Sequence, residues 1–446
     1  LSYNCYSMIL GTLLLLLLAQ IPDTTQKPSY SVDELWLKIT LSGTRKRMSL
    51  VIADFTIPKG TNPDTTALIK ALQEVFTSDL RFSLYFTFEE PESGKVYNFS
   101  TDPKKPDLKG WATTGAEVLI CGDFILKKGS ASIGLRLYDL ASSKLIAAKS
   151  YPLTGNYRWV AHKMADEVIK LLTGEDGVSC TRIAFSRTLG PSHKELAAID
   201  YDGAALEQLT SSGGMKLYPD WSPKGDRIAY CSYSDRSLNI YSLDITSRRV
   251  TTISDRKGLN TTPAFSPDGK LLAVSLTFEG NPEIYLMSPD GKNIRRLTTS
   301  PAIDISPAFS PNGREIAFVS DRTGTPQIYI MNIDGTDQRR LTFSGSYNTS
   351  PAWSPKGDLI AFVQRQPDGS NQICVTNILG DTYLRLTSTG NNEDPVWSPD
   401  GLHLAFSSNR TGVWEIYTMD WNGANQRQIT RTGGAQFPTW SPRLTR

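Results

Sequence analysis

Cysteine and histidine are scarce, at five and three of 446 residues. Cys5 sits ahead of an apolar run near the N-terminus, and Cys121, Cys180, Cys231 and Cys374 follow no disulfide framework and no Cys-x-x-Cys metal spacing. Buried free thiols are the expected state, because a chain of this length needs no disulfide staples. His162, His193 and His403 are too widely spaced to announce a histidine metal cluster. A surplus of charge of one sign is also lacking, with 47 Lys and Arg against 45 Asp and Glu. That balance removes the basic excess with which nucleic-acid binders neutralise phosphates. There is no Gly-x-Ser-x-Gly elbow, and no P-loop or Gly-x-Gly-x-x-Gly sequence opens a helix, so no catalytic, metal or cofactor site is expected. Long apolar runs are missing too. Residues 8–19, unbroken from Leu13 to Leu18, make about 12 apolar positions, where a membrane-spanning helix needs roughly 18 and a secretory leader roughly 7 to 15. Export is therefore expected, with residues 1–20 as a signal peptide and no membrane-spanning segment after its removal. No Lys or Arg precedes the run, and Ala19 is the best candidate for cleavage. The alternative is a short buried helix.

What the chain does have is a repeat. Its length exceeds the roughly 250 to 300 residues that one core accommodates, so two domains are expected. One phrase recurs: Pro219-Asp-Trp-Ser-Pro-Lys-Gly225, Pro263-Ala-Phe-Ser-Pro-Asp-Gly269, Pro307-Ala-Phe-Ser-Pro-Asn-Gly313, Pro351-Ala-Trp-Ser-Pro-Lys-Gly357, Pro395-Val-Trp-Ser-Pro-Asp-Gly401 and Pro438-Thr-Trp-Ser-Pro442. The leading prolines are 44, 44, 44, 44 and 43 residues apart. Each unit continues with short β-branched and aromatic runs, as in Ile316-Ala-Phe-Val319 and Gln327-Ile-Tyr-Ile-Met331, broken by Pro-x-Gly, Asp-Gly and Arg-Thr-Gly turns. Four strands in about 44 residues make one propeller blade. Helical repeats would need uninterrupted 3.6-residue periodicity, which the frequent Gly and Pro forbid. The fold expected is an all-β six-bladed β-propeller over residues 180–446.

The first unit, Arg182-Ile-Ala-Phe185 onward, has no Ser-Pro phrase ahead of it, and Trp440 supplies it from the far end. The C-terminal strand should therefore close the ring as the innermost strand of the first blade, covering edges that would otherwise be open. With strands A (Trp-Ser-Pro), B (Ile-Ala-Phe), C (Ile-Tyr-x-Met) and D (Arg-Leu-Thr), the D-to-A and B-to-C connections share one face. The Pro-x-Gly and Asp-Gly turns share the other and barely vary. The first face varies where strand A begins, at Leu217-Tyr218, Thr261-Thr262, Ile305-Ser306, Thr349-Ser350, Glu393-Asp394 and Gln436-Phe437. A partner is expected there. Trp221, Phe265, Phe309, Trp353, Trp397 and Trp440 read as packing between blades rather than a ligand-stacking box. Arg248-Arg249, Arg295-Arg296 and Arg339-Arg340 read as charge on the outer edge rather than an anion site. Asp235 and Asp321 recur at a turn position and satisfy local backbone donors. A channel cation held by carboxylates or carbonyls is left open.

Residues 30–174 read as a small α/β domain. Leu35-Trp-Leu-Lys-Ile39 alternates, Ser49 to Phe55 is a buried strand, and a helix over 64–80 places Leu68, Leu72, Val75 and Phe76 on one face, with Asp64 able to cap it. Strands follow at 84–88, 118–121 and 133–137. A helix over 156–172, with Val160, Met164, Val168, Leu171 and Leu172 apolar, stops at Gly174. Asn98-Phe-Ser100 fits a glycosylation sequon of the kind that usually arises by accident.

The repeat, together with Asp166-Glu-Val-Ile-Lys-Leu-Leu-Thr-Gly174, Thr181-Arg-Ile-Ala-Phe185 and a chain that stops just after Trp440-Ser-Pro442, resembles the TolB family. The resemblance covers nearly all of the chain after the leader. It implies a periplasmic, non-enzymatic component of the Tol-Pal envelope system. A Pal-type peptidoglycan-associated lipoprotein would sit on the face where strand A begins, and a TolA-type inner-membrane protein on the segment after the leader. By position, the first would meet Leu259, Thr261, Thr262, Ile305 and Ser306, and the second Glu34, Leu35, Trp36, Leu37, Lys38 and Ile39. Leu259 and Ile305 are apolar where the family usually has polar or histidine side chains. The rival reading is an exported hydrolase or glycan-binding propeller that uses the channel-mouth acids Glu393 and Asp394. A purely structural propeller with another partner is the third.

Overall fold

The structure, a computed structural model, describes residues 47–90, 100, 102–234 and 237–445. The leader, Glu34 to Ile39, Asn98 and Asp235 lie outside these residues. The α/β domain runs β1 (Met48–Ile52), α1 (Pro63–Phe82), β2 (Phe86–Phe88), α2 (Leu108–Ala112), β3 (Val118–Lys127), β4 (Ser130–Asp139), β5 (Lys144–Pro152) and α3 (Tyr157–Thr173). Its sheet has the order β2-β1-β3-β4-β5, with β1 parallel to both neighbours and β3-β4-β5 antiparallel. Helices α1 and α3 close one core with Leu50, Ile120, Ile133 and Leu135 from the sheet. Trp111 of α2 packs into a second cluster with Val51, Leu119 and Cys121.

Two local expectations shift. Asn62, not Asp64, caps α1, accepting from the Thr65 amide at 2.7 Å, with Pro63 in the first turn, where a missing N–H costs nothing. The buried stripe of α1 is Ile69, Leu72, Val75, Phe76, Asp79 and Leu80, and Leu68 is only half-buried. On α3, Leu171 is exposed while His162 and Asp166 are buried, because a second body packs there. Gly174 ends α3 in the left-handed conformation at φ 78°.

The second body is the propeller. Its six four-stranded sheets follow the chain, except that Ala435–Trp440 lies beside Arg182–Gly190 and closes blade 1. The closure is bonded beyond the ladder. The Ser441 amide donates to the Arg182 carbonyl at 2.8 Å, and the Trp440 indole donates to Thr181 Oγ1 at 2.8 Å. Trp221, Phe265, Trp353, Trp397 and Trp440 are all buried between blades, each worth about 1.5 to 3 kcal/mol in removed apolar surface.

Within most blades a Glu or Gln at or near the start of strand C binds the threonine of Leu-Thr after strand D. The pairs Glu195–Thr210, Glu283–Thr298, Gln327–Thr342, Gln372–Thr387 and Glu415–Thr430 all do so, and each threonine hydroxyl in turn receives a strand C amide. This buried latch ties the outermost strand to the sheet. The Arg pairs do more than charge an edge: Arg295 donates to the Ile333 carbonyl of the next blade at 2.9 Å, and Arg296 pairs with buried Glu283 at 2.7 Å.

The α/β domain docks on the face of the Pro-x-Gly and Asp-Gly turns. There the Phe82 carbonyl, at the end of α1, lies 2.8 Å from His403 Nε2 at the start of strand B in blade 6. Tyr201, in the C-to-D turn of blade 1, donates to Asp79 of α1. The described residues of that domain leave the face of the D-to-A loops uncovered.

Candidate interaction face and central channel

Strand A of each blade carries one extra residue. In blade 3, Thr261 pairs with Ser275 and Ala264 with Ala273, so three steps on strand A match two on strand B. The same break recurs in all six blades. It coincides with a positive φ, between 47° and 56°, at Tyr218, Thr262, Ser306, Ser350, Asp394 and Phe437, each just ahead of the repeat proline. A non-glycine residue there costs about 1 kcal/mol. The bulge re-aims that residue at the axis.

These six side chains, the six prolines and the following aromatics line a central channel of about 420 Å³. Six of the residues expected on the partner face therefore form the channel wall. The others diverge. Leu217, only 8% exposed, belongs to the core between blades 2 and 3, which corrects its expected place on the face. Ile305 packs against the core of blades 4 and 5, and Thr349 is half-buried. Thr261 Oγ1 lies 3.7 Å from Cys231 Sγ. Glu393 accepts from Asn371 Nδ2 at 2.7 Å, and Gln436 from Lys194 Nζ at 2.6 Å. Leu259 is exposed, at 46%.

Five exposed apolar residues join Leu259 on this side: Leu189 and Tyr233 at the ends of strand B in blades 1 and 2, Val413 in the B-to-C connection of blade 6, and Ile303 and Phe343 in the loops leading into blades 4 and 5. Their signal in the sequence is a lone apolar residue in a Ser-, Thr- and Gly-rich loop, as in Thr342-Phe-Ser-Gly345.

The channel wall is polar on one side. Burial, reinforced by neighbouring Glu393, pushes the Asp394 carboxyl up to about 7 against hydrogen bonds from Ser407 and the Phe437 amide. Burial likewise pushes Asp220 up to about 7, although its Oδ2 accepts from the Phe265 amide at 2.7 Å. Lys194 extends over the Phe437 ring at 5.4 Å, and burial lowers its ammonium pKa against the charge of Asp394. The Tyr218 and Phe437 rings meet at 4.5 Å. The two acids are thus held as elements of the wall, each with a backbone amide partner.

The TolB beta propeller domain family model matches residues 169–444, and the TolB amino-terminal domain model matches residues 37–146. A Tol-Pal system protein TolB from Cereibacter sphaeroides is 33% identical over 241 residues, 53% of this chain and 52% of that one. Its counterpart from Desulfosudis oleivorans is 36% identical over 221 residues, 47% of this chain and 48% of that one. The chain thus spans about half the length of these curated relatives. The crystal structure of TolB from Acinetobacter baumannii superposes with a TM-score of 0.76 at 26% identity, covering 89% of this chain and 97% of that one. Matched by the propeller model over more than half its length, with the amino-terminal model ahead of it in the same order, the chain belongs to the TolB family.

Proposed function

We propose that this chain is a periplasmic protein-binding scaffold of the Tol-Pal envelope system and not an enzyme. A Pal-type peptidoglycan-associated lipoprotein docks on the face of the D-to-A loops, and a TolA-type inner-membrane protein engages residues 34–39. In that role it maintains outer-membrane integrity and contributes to envelope constriction at division. The observation that carries the reading is the placement of the two bodies: the α/β domain takes one face of the ring, and the other keeps an open channel mouth with Tyr233, Leu259, Ile303 and Phe343 exposed around it. A stable complex buries roughly 1,200 to 2,000 Å² in total, with apolar anchors in its centre. No helix among the described residues is long and apolar enough to cross a membrane. The hydrolase reading is weaker, because Glu393 and Asp394 are engaged by Asn371, Ser407 and the Phe437 amide.

The test is a pull-down of the Pal-type ectodomain with the full chain and with Leu259→Asp and Phe343→Asp. Capture by the parent and at least about tenfold weaker capture by the variants is the expected result. Equal capture by all three, or none by the parent, sinks the proposal.

A further inference from the structure

The boundary between the two bodies contains a buried titratable cluster that neither blade packing nor the channel requires. Asp79 comes from α1, His162 and Arg158 from α3, and Tyr201 and Asp202 from the C-to-D turn of blade 1. Asp79, His162 and Tyr201 are each at most 1% exposed. His162 Nδ1 lies 2.7 Å from Asp79 Oδ2, the Tyr201 phenol donates to Asp79 Oδ1, and the Arg158 guanidinium pairs with Asp202. His162 Nε2 makes no hydrogen bond and faces Asp202 Oδ2 at 3.9 Å. Along the same boundary Phe82 stacks on His403 at 3.8 Å, and Arg427 lies over the rings of Phe82 and Tyr201, at 4.4 and 5.7 Å.

A neutral His162 whose Nδ1–H donates to Asp79 turns a lone pair toward the Asp202 carboxylate. That contact is empty of any bond and electrostatically unfavourable. With a second proton on Nε2, the same contact becomes an ion pair between the two bodies. The groups facing the ring are Asp79 from α1, Arg158 from its own helix, and Tyr201 and Asp202 from blade 1, with Arg427 of blade 6 beyond Tyr201. Burial disfavours the imidazolium and Arg158 opposes it, but the hydrogen bond and charge of Asp79 and the charge of Asp202 prevail, and the His162 pKa is raised. Burial also raises Asp79 against its bonds from His162 and Tyr201, so the pair titrates as a unit.

We propose that His162 is a proton-dependent latch between the α/β domain and the propeller: the imidazolium clamps Asp79 to Asp202 and holds the bodies docked, and loss of the Nε2 proton releases the Asp202 side. Because the folded value lies above the ordinary histidine value, the latch is fully set below about pH 6.5 and is lost as pH rises through the raised value. The proposal is independent of any partner.

With only three histidines in the chain, ring-labelled histidine gives three NMR signals, and His162→Gln assigns the one of interest. Read with it is amide hydrogen exchange, corrected for its intrinsic pH dependence, at 79–84 and 199–205 of the full chain. The expected result is a His162 ring that titrates above the ordinary range, with boundary opening rising about tenfold per unit of pH in that interval. Asp202→Asn should flatten that rise while leaving the propeller's core exchange unchanged. This variant decides the matter even if His162→Gln does not fold. A His162 ring silent between about pH 5 and pH 9, or the same pH response in parent and Asp202→Asn, overturns the latch.

Discussion

Glu283 is fully buried, with Arg296 at 2.7 Å and Thr298 as its partners, and Thr298 also takes the Ile284 amide. Glu283→Ala takes the acceptor from the buried Thr298 hydroxyl and one of two carboxylates from Arg296, which keeps Glu279 at 3.0 Å, so a loss of about 2 kcal/mol is expected in urea unfolding. Glu283→Gln should cost less, since blades 4 and 5 use glutamine at that position. Asp220 makes a prediction of opposite sign. Its folded pKa of about 7 exceeds the unfolded value, so the folded state holds the extra proton and stability falls as pH rises from about 4 to 7. Asp220→Asn should therefore leave the melting temperature unchanged near pH 4 and raise it by a few degrees at pH 8, as read by calorimetry. A lower melting temperature at pH 8 would show that the carboxylate is stabilising. At this scale the sequence was only partly legible. The repeated Leu-Thr was visible as a strand signal, but its hydroxyl's role needs the 15-residue return from strand C to strand D. The bulge that turns Thr262 and Ser306 into the channel was equally hidden, because period-2 alternation assumes an unbroken ladder.

Among elements, the blades were legible because each proline and Gly turn marks a fixed place in a unit that folds against copies of itself. Ring closure followed from counting them. Strand β5 was not legible: Lys144–Pro152 lies at a sheet edge with nearly every side chain exposed, so no alternation marks it. The buried face of α3 was hidden for a related reason, since a helix that packs on two bodies buries polar residues such as His162 and Asp166 while apolar Leu171 stays exposed. The closing strand makes the sharpest prediction here. Removing residues 437–446 deletes the Thr439–Ala184 and Trp440–Ile183 pairs of the closing ladder, the Ser441–Arg182 bond and the Trp440 side chain from its buried site. Hydrogen exchange should show blade 1 losing protection first and most, with a drop in melting temperature larger than ten residues of surface strand would cause. An unchanged transition contradicts the closure.

For the whole molecule, the decisive feature is that the ring has two unlike faces. The uniform turns carry the α/β domain, and the variable loops surround an open mouth. The sequence distinguished these faces by variation alone, and the structure adds Leu189, Tyr233, Ile303, Phe343 and Val413 as the exposed apolar residues there while moving Leu217 into the core. Which face meets the partner is the central claim. The measurement that tests it most directly is hydrogen exchange of the full chain with and without the Pal-type ectodomain. Protection is predicted at 233, 259–262, 303–306 and 343–350, with Leu206 and Leu379 in the turns of the opposite face unchanged. Protection confined to the turns around Leu206 and Leu379, or none at the D-to-A loops in a saturated complex, would contradict it.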